Sequence, residues 1–315
     1  MKCRICGSEA VVKLEYANLK LCEEDFIRFF ENRVERTVKR YKMLPRGSKV
    51  VVGLSGGKDS SSLLHALWRL RDRLGIEVEA LTIDLGIAGY SEACLDAAKE
   101  LCRRLGVPLK VVSLESEYGF TVDDAAKSLR SNACSACGTI KRYLLNRVAR
   151  EMKAYAIATG HNLDDTLAAV LQALVRGDVN SLARIGPVLP PTGKFVARVK
   201  PLIETPESDS KLYADFLDLG YVAAKCPYSR GATSFAYKAA IELLEHEFPS
   251  VKLQMLRPFL DKVQPSLGGI EEGRLTECVE CGEPTSRQLC RFCRVRTEVL
   301  RKKVSSQPTA FMSDS

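Results

Sequence analysis

The sequence predicts an α/β fold, a parallel sheet wound on both sides by helices, with a small cysteine-bearing module at each end. Three observations lead there. Between residues 50 and 175, short β-branched runs alternate with apolar patterns of helical period. The first run empties through a glycine turn, Ser55-Gly56-Gly57, into an apolar helical face. Paired cysteines lie outside this alternation, near both termini.

From the N-terminus, Cys3-x2-Cys6 precedes a hairpin-like stretch, Val11 to Leu21, and Cys22 follows it. Residues 23–44 read as an amphipathic basic helix leading to the first strand, Val50–Leu54. Helix Ser60–Leu74 presents Leu63, Leu64, Leu67, Leu70 and Leu74 on one face. Strand Val78–Asp84, helix Ser91–Leu105, strand Leu109–Leu114, helix Thr139–Lys153, strand Tyr155–Thr159 and helix Asp164–Val175 continue the alternation. Ligands of such sheets gather at the carboxyl ends of the strands. Three polar segments fall there: Ser55–Ser60, Asp84, and Gly160-His161-Asn162-Leu163-Asp164-Asp165. Arg176–Lys200, with Gly177, Gly186, Pro187, Pro190, Pro191 and Gly193, reads as a long surface loop. Helices Glu207–Leu219, Thr233–Glu247 and Ser250–Asp261 come next, Gln264–Gly273 reads as a linker, and Val304–Ser315 as a disordered tail. The expected units are 1–45, a cysteine module with its linker helix; 46–268, the α/β domain; 269–303, a second cysteine module; and the tail, 304–315. No internal repeat is present.

The chain has 315 residues and a formal net charge of +8, which suits a polyanionic partner without demanding one. No apolar run approaches the roughly 18 residues of a membrane span, and the opening Met-Lys-Cys is unlike a signal peptide, so a cytoplasmic protein is expected. Lys39, Arg40, Lys42 and Arg46 form one basic cluster; Arg291, Arg294, Arg296, Arg301, Lys302 and Lys303 form another. Either alone reads as a solvated face, but both adjoin cysteines.

Twelve cysteines in a reducing compartment point to metal rather than disulfides. Cys278-x2-Cys281 and Cys290-x2-Cys293 form two knuckles that can close a tetrahedral Zn–S4 site. Cys3, Cys6 and Cys22 lack a fourth cysteine or histidine. Asp25 is the natural replacement for zinc, its alternative role being a helix cap. Neither site leaves an open position, so both read as folding staples. Cys134-x2-Cys137 has only Cys226 to join it, and three thiolates are one short of a closed site. Such a set can hold a [4Fe–4S] cluster with one open iron, hold a catalytic metal, or carry persulfide. Cys94 and Cys102 read as packing residues.

Ser55-Gly56-Gly57-Lys58-Asp59-Ser60 after a strand is a phosphate cradle, built from successive N–H groups and a helix N-terminus. A Walker A loop would need G-x-x-x-x-G-K-[ST], which this spacing excludes. The hexapeptide resembles the PP-loop of N-type ATP pyrophosphatases, which split ATP between its α and β phosphates. Together with Thr159-Gly-His-Asn-Leu-Asp-Asp165, Cys134-Ser-Ala-Cys-Gly-Thr-Ile-Lys-Arg142, Cys226-Pro-Tyr and the flanking knuckles, it makes the chain, from Cys3 to about Cys293, similar to the TtuA-type tRNA 2-thiouridine synthetases and the related cytoplasmic tRNA 2-thiolation proteins.

That resemblance implies ATP-dependent replacement of the C2 oxygen of a tRNA uridine by sulfur. The uridine is number 54 in the T-loop or the wobble uridine 34, with the Cys134 motif closer to the first group. An adenylating ligase or amidotransferase would share the PP-loop but leave the three cysteines unexplained. Implied too are a homodimer, a ubiquitin-like sulfur carrier with a C-terminal thiocarboxylate, and an oxygen-sensitive [4Fe–4S] cluster on Cys134, Cys137 and Cys226, with a cysteine persulfide as the alternative route for sulfur. Asp25 departs from the histidine common in the family. Gly53, Ser55, Gly56, Gly57, Lys58 and Ser60 are expected to hold ATP, with Asp59 positioning Mg2+. Ile83, Asp84 and Gly160 are expected on the adenosine side, with Asp84 alternatively a turn cap. Lys141, four residues after Cys137 on the same helical face, and Asp165 are expected to be catalytic. Asp164 reads as a cap, His161 as a turn residue and Arg142 as a solvated helix position.

Overall fold

The computed structural model describes residues 1–129, 133–229, 233–268 and 275–305. A hairpin of β1 (Val12–Leu14) and β2 (Leu19–Leu21) leads into α1 (Glu23–Arg40). The alternating region then runs β3 (Lys49–Gly53), α2 (Lys58–Leu74), β4 (Glu77–Asp84), α3 (Ser91–Leu105), β5 (Leu109–Ser113), α4 (Leu114–Tyr118), α5 (Val122–Ser128), α6 (Ala133–Glu151), β6 (Ala156–Ala158) and α7 (Leu163–Val175). After it come α8 (Val179–Arg184), β7 (Val188–Leu189), β8 (Ala197–Val199), α9 (Glu207–Phe216), α10 (Thr233–Glu247) and α11 (Val251–Pro258). A π-helical turn, Phe259–Val263, joins α11 to α12 (Gln264–Ser266). The chain ends in β9 (Thr276–Glu277), β10 (Pro284–Thr285) and α13 (Arg291–Ser305).

The central sheet has six strands in the order β5-β4-β3-β6-β8-β7, all parallel except β7, which runs antiparallel to β8. Strand alternation sorts the core into two layers. Val50, Val52, Val78, Ala156 and Ala158 pack with α1, α2 and α7, while Val51, Leu81 and Ile157 pack with α5, α6 and α13. This is the predicted doubly wound arrangement.

The reading of Arg176–Lys200 as a surface loop is corrected: the segment supplies α8, β7 and β8 and completes the sheet. Strands of two and three residues are too short to show alternation, and the glycines and prolines between them dominate the pattern. Helix α6 begins at Ala133 rather than Thr139, which puts Cys134 and Cys137 within its first turns. Helices α4 and α5 were not anticipated, although Thr121 and Asp124 form a capping box that marks the start of α5. The first part of the expected linker, Gln264–Ser266, is helical, while 269–273 lie outside the described residues. Of the expected tail, Val304 and Ser305 finish α13 and the remainder lies outside the described residues.

Both terminal modules are packed onto this body. Phe30 stacks on Tyr213 of α9 at 4.0 Å, and the buried Arg33–Asp209 pair closes at 3.0 Å. At the other end Phe292 stacks on Tyr143 of α6 at 3.9 Å, Arg150 pairs with the buried Glu283, and Lys303 reaches Asp124 at 2.9 Å. Among the described residues no helix is long and apolar enough to cross a membrane.

Candidate nucleotide and cysteine site

The glycine turn after β3 is closed from within. Ser60 Oγ donates to the Gly57 carbonyl at 3.0 Å and accepts from the Ser55 N–H at 3.1 Å and the Ser55 hydroxyl at 3.0 Å. Gly56 has φ +77°, and a Cβ there would lie 2.5 Å from the Cys94 carbonyl oxygen and 2.7 Å from its Cα, so only glycine fits. Gly160 is also tight, though less so: a Cβ would stand 2.9 Å from the Ser60 nitrogen. The segment after β6 is therefore pressed against the start of α2, whose first-turn N–H groups, left without intrahelical partners, are able to receive an anion. Gly53 underlies the turn against Leu145.

A charged network frames that site. Lys58 Nζ donates to Asp59 at 2.8 Å and to Glu207 at 2.7 Å. Lys238 bridges Glu207 at 2.6 Å and Asp165 at 2.5 Å. Asn162 caps α7 in a reciprocal box with Asp165 and donates from Nδ2 to Asp59 at 3.0 Å. Burial raises the Asp59 pKa against the pull of Lys58 and Asn162. Burial also opposes ionisation of Glu207, but Lys238 and Lys58 outweigh it and hold that carboxyl at about 2. Asp164 does not cap α7: it is buried, accepts the Glu207 N–H at 2.7 Å and pairs with Lys252 at 2.6 Å, and so anchors α9. Asp84 accepts the Gly86 N–H at 3.0 Å in a turn beyond β4, and Ile83 packs into the layer beneath. His161 bonds Thr159 at 2.9 Å.

The three central cysteines lie within electrostatic reach of one another near this turn, in a looser group than the cysteine sets at the termini. Burial raises the Cys137 pKa; Lys141 opposes the shift, while Cys226 and Cys134 add to it, so all four side chains share one electrostatic neighbourhood. Cys134 Sγ donates to the Tyr228 carbonyl at 2.9 Å, and Tyr228 is fixed in turn through Asp123 at 2.8 Å. Two contacts tie this set to the phosphate turn. Val222 N–H donates to the Gly56 carbonyl at 2.9 Å four residues before Cys226, and Cys94, close enough to Cys226 for its charge to matter, carries the backbone that packs on Gly56. Cys94 thus does more than pack.

The terminal sets are tighter. The ligand atoms of Cys278, Cys281, Cys290 and Cys293, and those of Cys3, Cys6, Cys22 and Asp25, each lie within 4.8 Å of one another. Knuckle-type N–H···S bonds, Cys290 N–H to Cys278 at 3.2 Å and Asp25 N–H to Cys22 at 3.5 Å, orient these sulfurs. Asp25 Oδ2 sits 3.1 Å from Cys3 Sγ and 3.3 Å from Cys22 Sγ, so it is at once inside the ligand set and at the start of α1. Glu207, Lys238 and Asn162 escaped the sequence reading. Asn162 alone had a local signal, an Asn-x-x-Asp capping pattern.

The PP-loop domain profile matches residues 29–226, and that of the 2-thiouridine synthetase TtuA N-terminal LIM domain matches residues 2–27. The tRNA-5-methyluridine(54) 2-sulfurtransferase of Thermus thermophilus is 40% identical, over 96% of this chain and 93% of its own. That of Pyrococcus horikoshii is 39% identical, over 93% of each. The chain belongs to the TtuA/NcsA family of PP-loop tRNA sulfurtransferases. Membership makes it a transferase with an ATP-binding PP-loop. Among solved structures, the U34-tRNA thiolase NcsA from Methanococcus maripaludis, determined with its [4Fe-4S] cluster, superposes with a TM-score of 0.80 at 34% identity, covering 94% of this chain and 96% of that one.

Proposed function

We propose that this protein thiolates uridine 54 of tRNA at C2, at the expense of ATP. The observation that carries the reading is the junction of the two half-sites: Gly56 of the phosphate turn is held by the segment leading to Cys226 on one side and by Cys94 on the other. Adenylation and sulfur transfer then share one chamber. Position 54 follows the relatives so named, at 38–40% identity, over the U34 enzyme at 34%.

The C2 oxygen is a poor leaving group. It attacks the α-phosphate of ATP, pyrophosphate departs, and a sulfur nucleophile then adds at C2 and expels AMP. The first-turn N–H groups of α2 with Gly56, Gly57 and Ser60 hold the phosphates. Asp59, kept in place by Asn162, positions Mg2+. Asp165 faces the same space with Lys238 fixing its orientation. Ile83, Asp84 and Gly160 border the adenosine. Lys141, whose charge reaches Cys137, stabilises negative charge on the phosphate or on the activated uridine.

Cys134, Cys137 and Cys226 fit a cluster better than a single ion: three soft thiolate donors act electrostatically on one another, and among the described residues they do not close into a mononuclear set as tight as those at the termini. When bound, a [4Fe–4S] cluster supplies an iron with an open position for inorganic sulfur. Each terminal set fits one Zn2+ ion, held by Cys3, Cys6, Cys22 and Asp25 or by Cys278, Cys281, Cys290 and Cys293, which would staple its own module, 1–45 or 269–303, beside the catalytic unit 46–268. The sulfur donor is a ubiquitin-like thiocarboxylated carrier, the enzyme acts as a homodimer, and its place is the cytoplasm, as in the names of the Drosophila relatives. Metal analysis of protein purified without oxygen tests the cofactor assignment. About four irons, four sulfides and two zincs per chain are expected. Zinc without iron, even after anaerobic reconstitution, would remove the cluster and leave the three cysteines as persulfide carriers.

A further inference from the structure

Beside the cysteine set, a cavity of about 800 Å³ opens between α6, the strand pair β7 and β8, and the C-terminal module. Its volume falls within the roughly 300–1,000 Å³ range of sites that enclose small ligands. Arg142, Arg198, Arg184 and Arg291 project from three different parts of the chain into its lining. The first, second and fourth lie close enough to act on one another: burial and Arg291 disfavour the charge on Arg142, and burial and Arg142 disfavour that on Arg198. None of the four arginines has an ion-pair partner among the described residues. Glu283, the acid in the wall, is already matched by Arg150. Arg198 donates to the Arg142 carbonyl at 3.3 Å and Arg291 to the Ser135 hydroxyl at 3.2 Å, so two of these guanidinium groups are fixed by neutral acceptors. Like charges gathered in a concavity without a counter-ion are a feature of an anion site, and guanidinium is the group best shaped for phosphate. Leu189, Pro190 and Phe195 give the same cavity an apolar wall against which a base can lie.

We infer that this cavity receives the RNA strand next to the reacting uridine, with Arg142, Arg198 and Arg291 on its phosphates and the Leu189–Phe195 wall against a flanking base. The inference rests on the tRNA reading above. It also explains how C2 of the uridine is brought to the sulfur site: Arg291 is bonded to Ser135, between Cys134 and Cys137, so a phosphate held there sits one residue from the sulfur chemistry. Lys141 lies on the same helix, one residue before Arg142.

The test is tRNA binding to the holoprotein by fluorescence anisotropy across a salt series, for the wild type and for Arg142→Gln, Arg198→Gln and Arg291→Gln. Each substitution is expected to weaken tRNA about 5- to 10-fold and to lower the slope of log K against log salt by about 0.7–0.9, the loss of one phosphate contact. ATP affinity and zinc content are expected to stay at wild-type values, which also reports on folding. Leu189→Trp, which fills the cavity without altering charge, is expected to weaken tRNA as well. Wild-type affinity and slope in the triple glutamine variant would overturn the inference while leaving the function intact. So would loss of affinity for a peptide ending in the carrier's C-terminal carboxylate with tRNA binding unchanged. Failure of the wild type itself to bind tRNA would overturn both readings.

Discussion

Gly56→Ala and Gly57→Ala differ by one position, and the structure gives them opposite outcomes. At Gly56 the added methyl meets two obstacles: φ is +77°, and the Cβ falls 2.5 Å from the Cys94 carbonyl oxygen and 2.7 Å from its Cα, backbone atoms that cannot rotate away. The left-handed conformation costs a non-glycine residue about 1–2 kcal/mol. Overpacking against a fixed neighbour costs about 1–3 kcal/mol. At Gly57, φ is −92°, and the nearest atom to a Cβ is Ser55 Oγ at 3.6 Å, an ordinary contact. There alanine restricts the unfolded chain and is neutral or stabilising by about 0.4–1 kcal/mol. Thermal unfolding of the nucleotide-free protein is the assay. At roughly 2 °C per kcal/mol for a chain of this size, Gly56→Ala melts about 4–10 °C lower and Gly57→Ala at or slightly above wild type. Because relief of the Gly56 clash must move Cys94 or the Val222 contact, ATP affinity falls more than tenfold in that variant. Equal melting temperatures would refute the packing of the turn on α3 and, with it, the junction of the two half-sites.

Three further outcomes follow from the same contacts. Glu207→Gln removes the anion shared by Lys58 and Lys238 and leaves both without their common partner; unfolding free energy is expected to fall by about 1–3 kcal/mol, and ATP affinity to change with it, whereas unchanged stability would show that the network is slack. His65 is buried against Tyr213 at 2.8 Å, and burial lowers its pKa to about 4 from 6.5. Below pH 6.5 the unfolded chain therefore takes up a proton that the folded chain refuses, so stability falls with acidification down to about pH 4, by at most about 3 kcal/mol; in His65→Gln, denaturant midpoints should lose that part of the slope. Phe292→Ala deletes the ring stacked on Tyr143 and should cost about 3–5 kcal/mol, read as release of zinc from the C-terminal cysteines to a chelator at lower temperature than in the wild type.

The alternation of strands and helices along the chain was legible because β-branched or apolar runs and helical periods carry their own signal. The last two strands were not, since Val188–Leu189 and Ala197–Val199 are held by pairing across the sheet rather than by local pattern. At the site, the glycine turn and the cysteine spacings are local and could be read directly. Glu207 and Lys238 could not: they sit on helices far along the chain and meet Lys58 and Asp165 only through the fold. Arg142 shows the same limit. Its helical position reads as solvated, and only the approach of β8 and the C-terminal module puts it in the wall of a cavity with Arg198 and Arg291. Cys94 sits at helical spacing from apolar neighbours and reads as core, while its backbone is what forces glycine at position 56.

The most direct measurement is the position of sulfur in the product. Unmodified tRNA is incubated without oxygen with the reconstituted protein, ATP and sulfide, then digested and mapped by mass spectrometry. The expected product is 2-thiouridine at position 54, formed only with ATP, with AMP and pyrophosphate released in step, and absent with Cys226→Ser although that variant still binds ATP. ATP cleavage with no thiolated nucleoside in the tRNA, or thiolation that survives loss of Cys226, would contradict a shared chamber for adenylation and sulfur transfer.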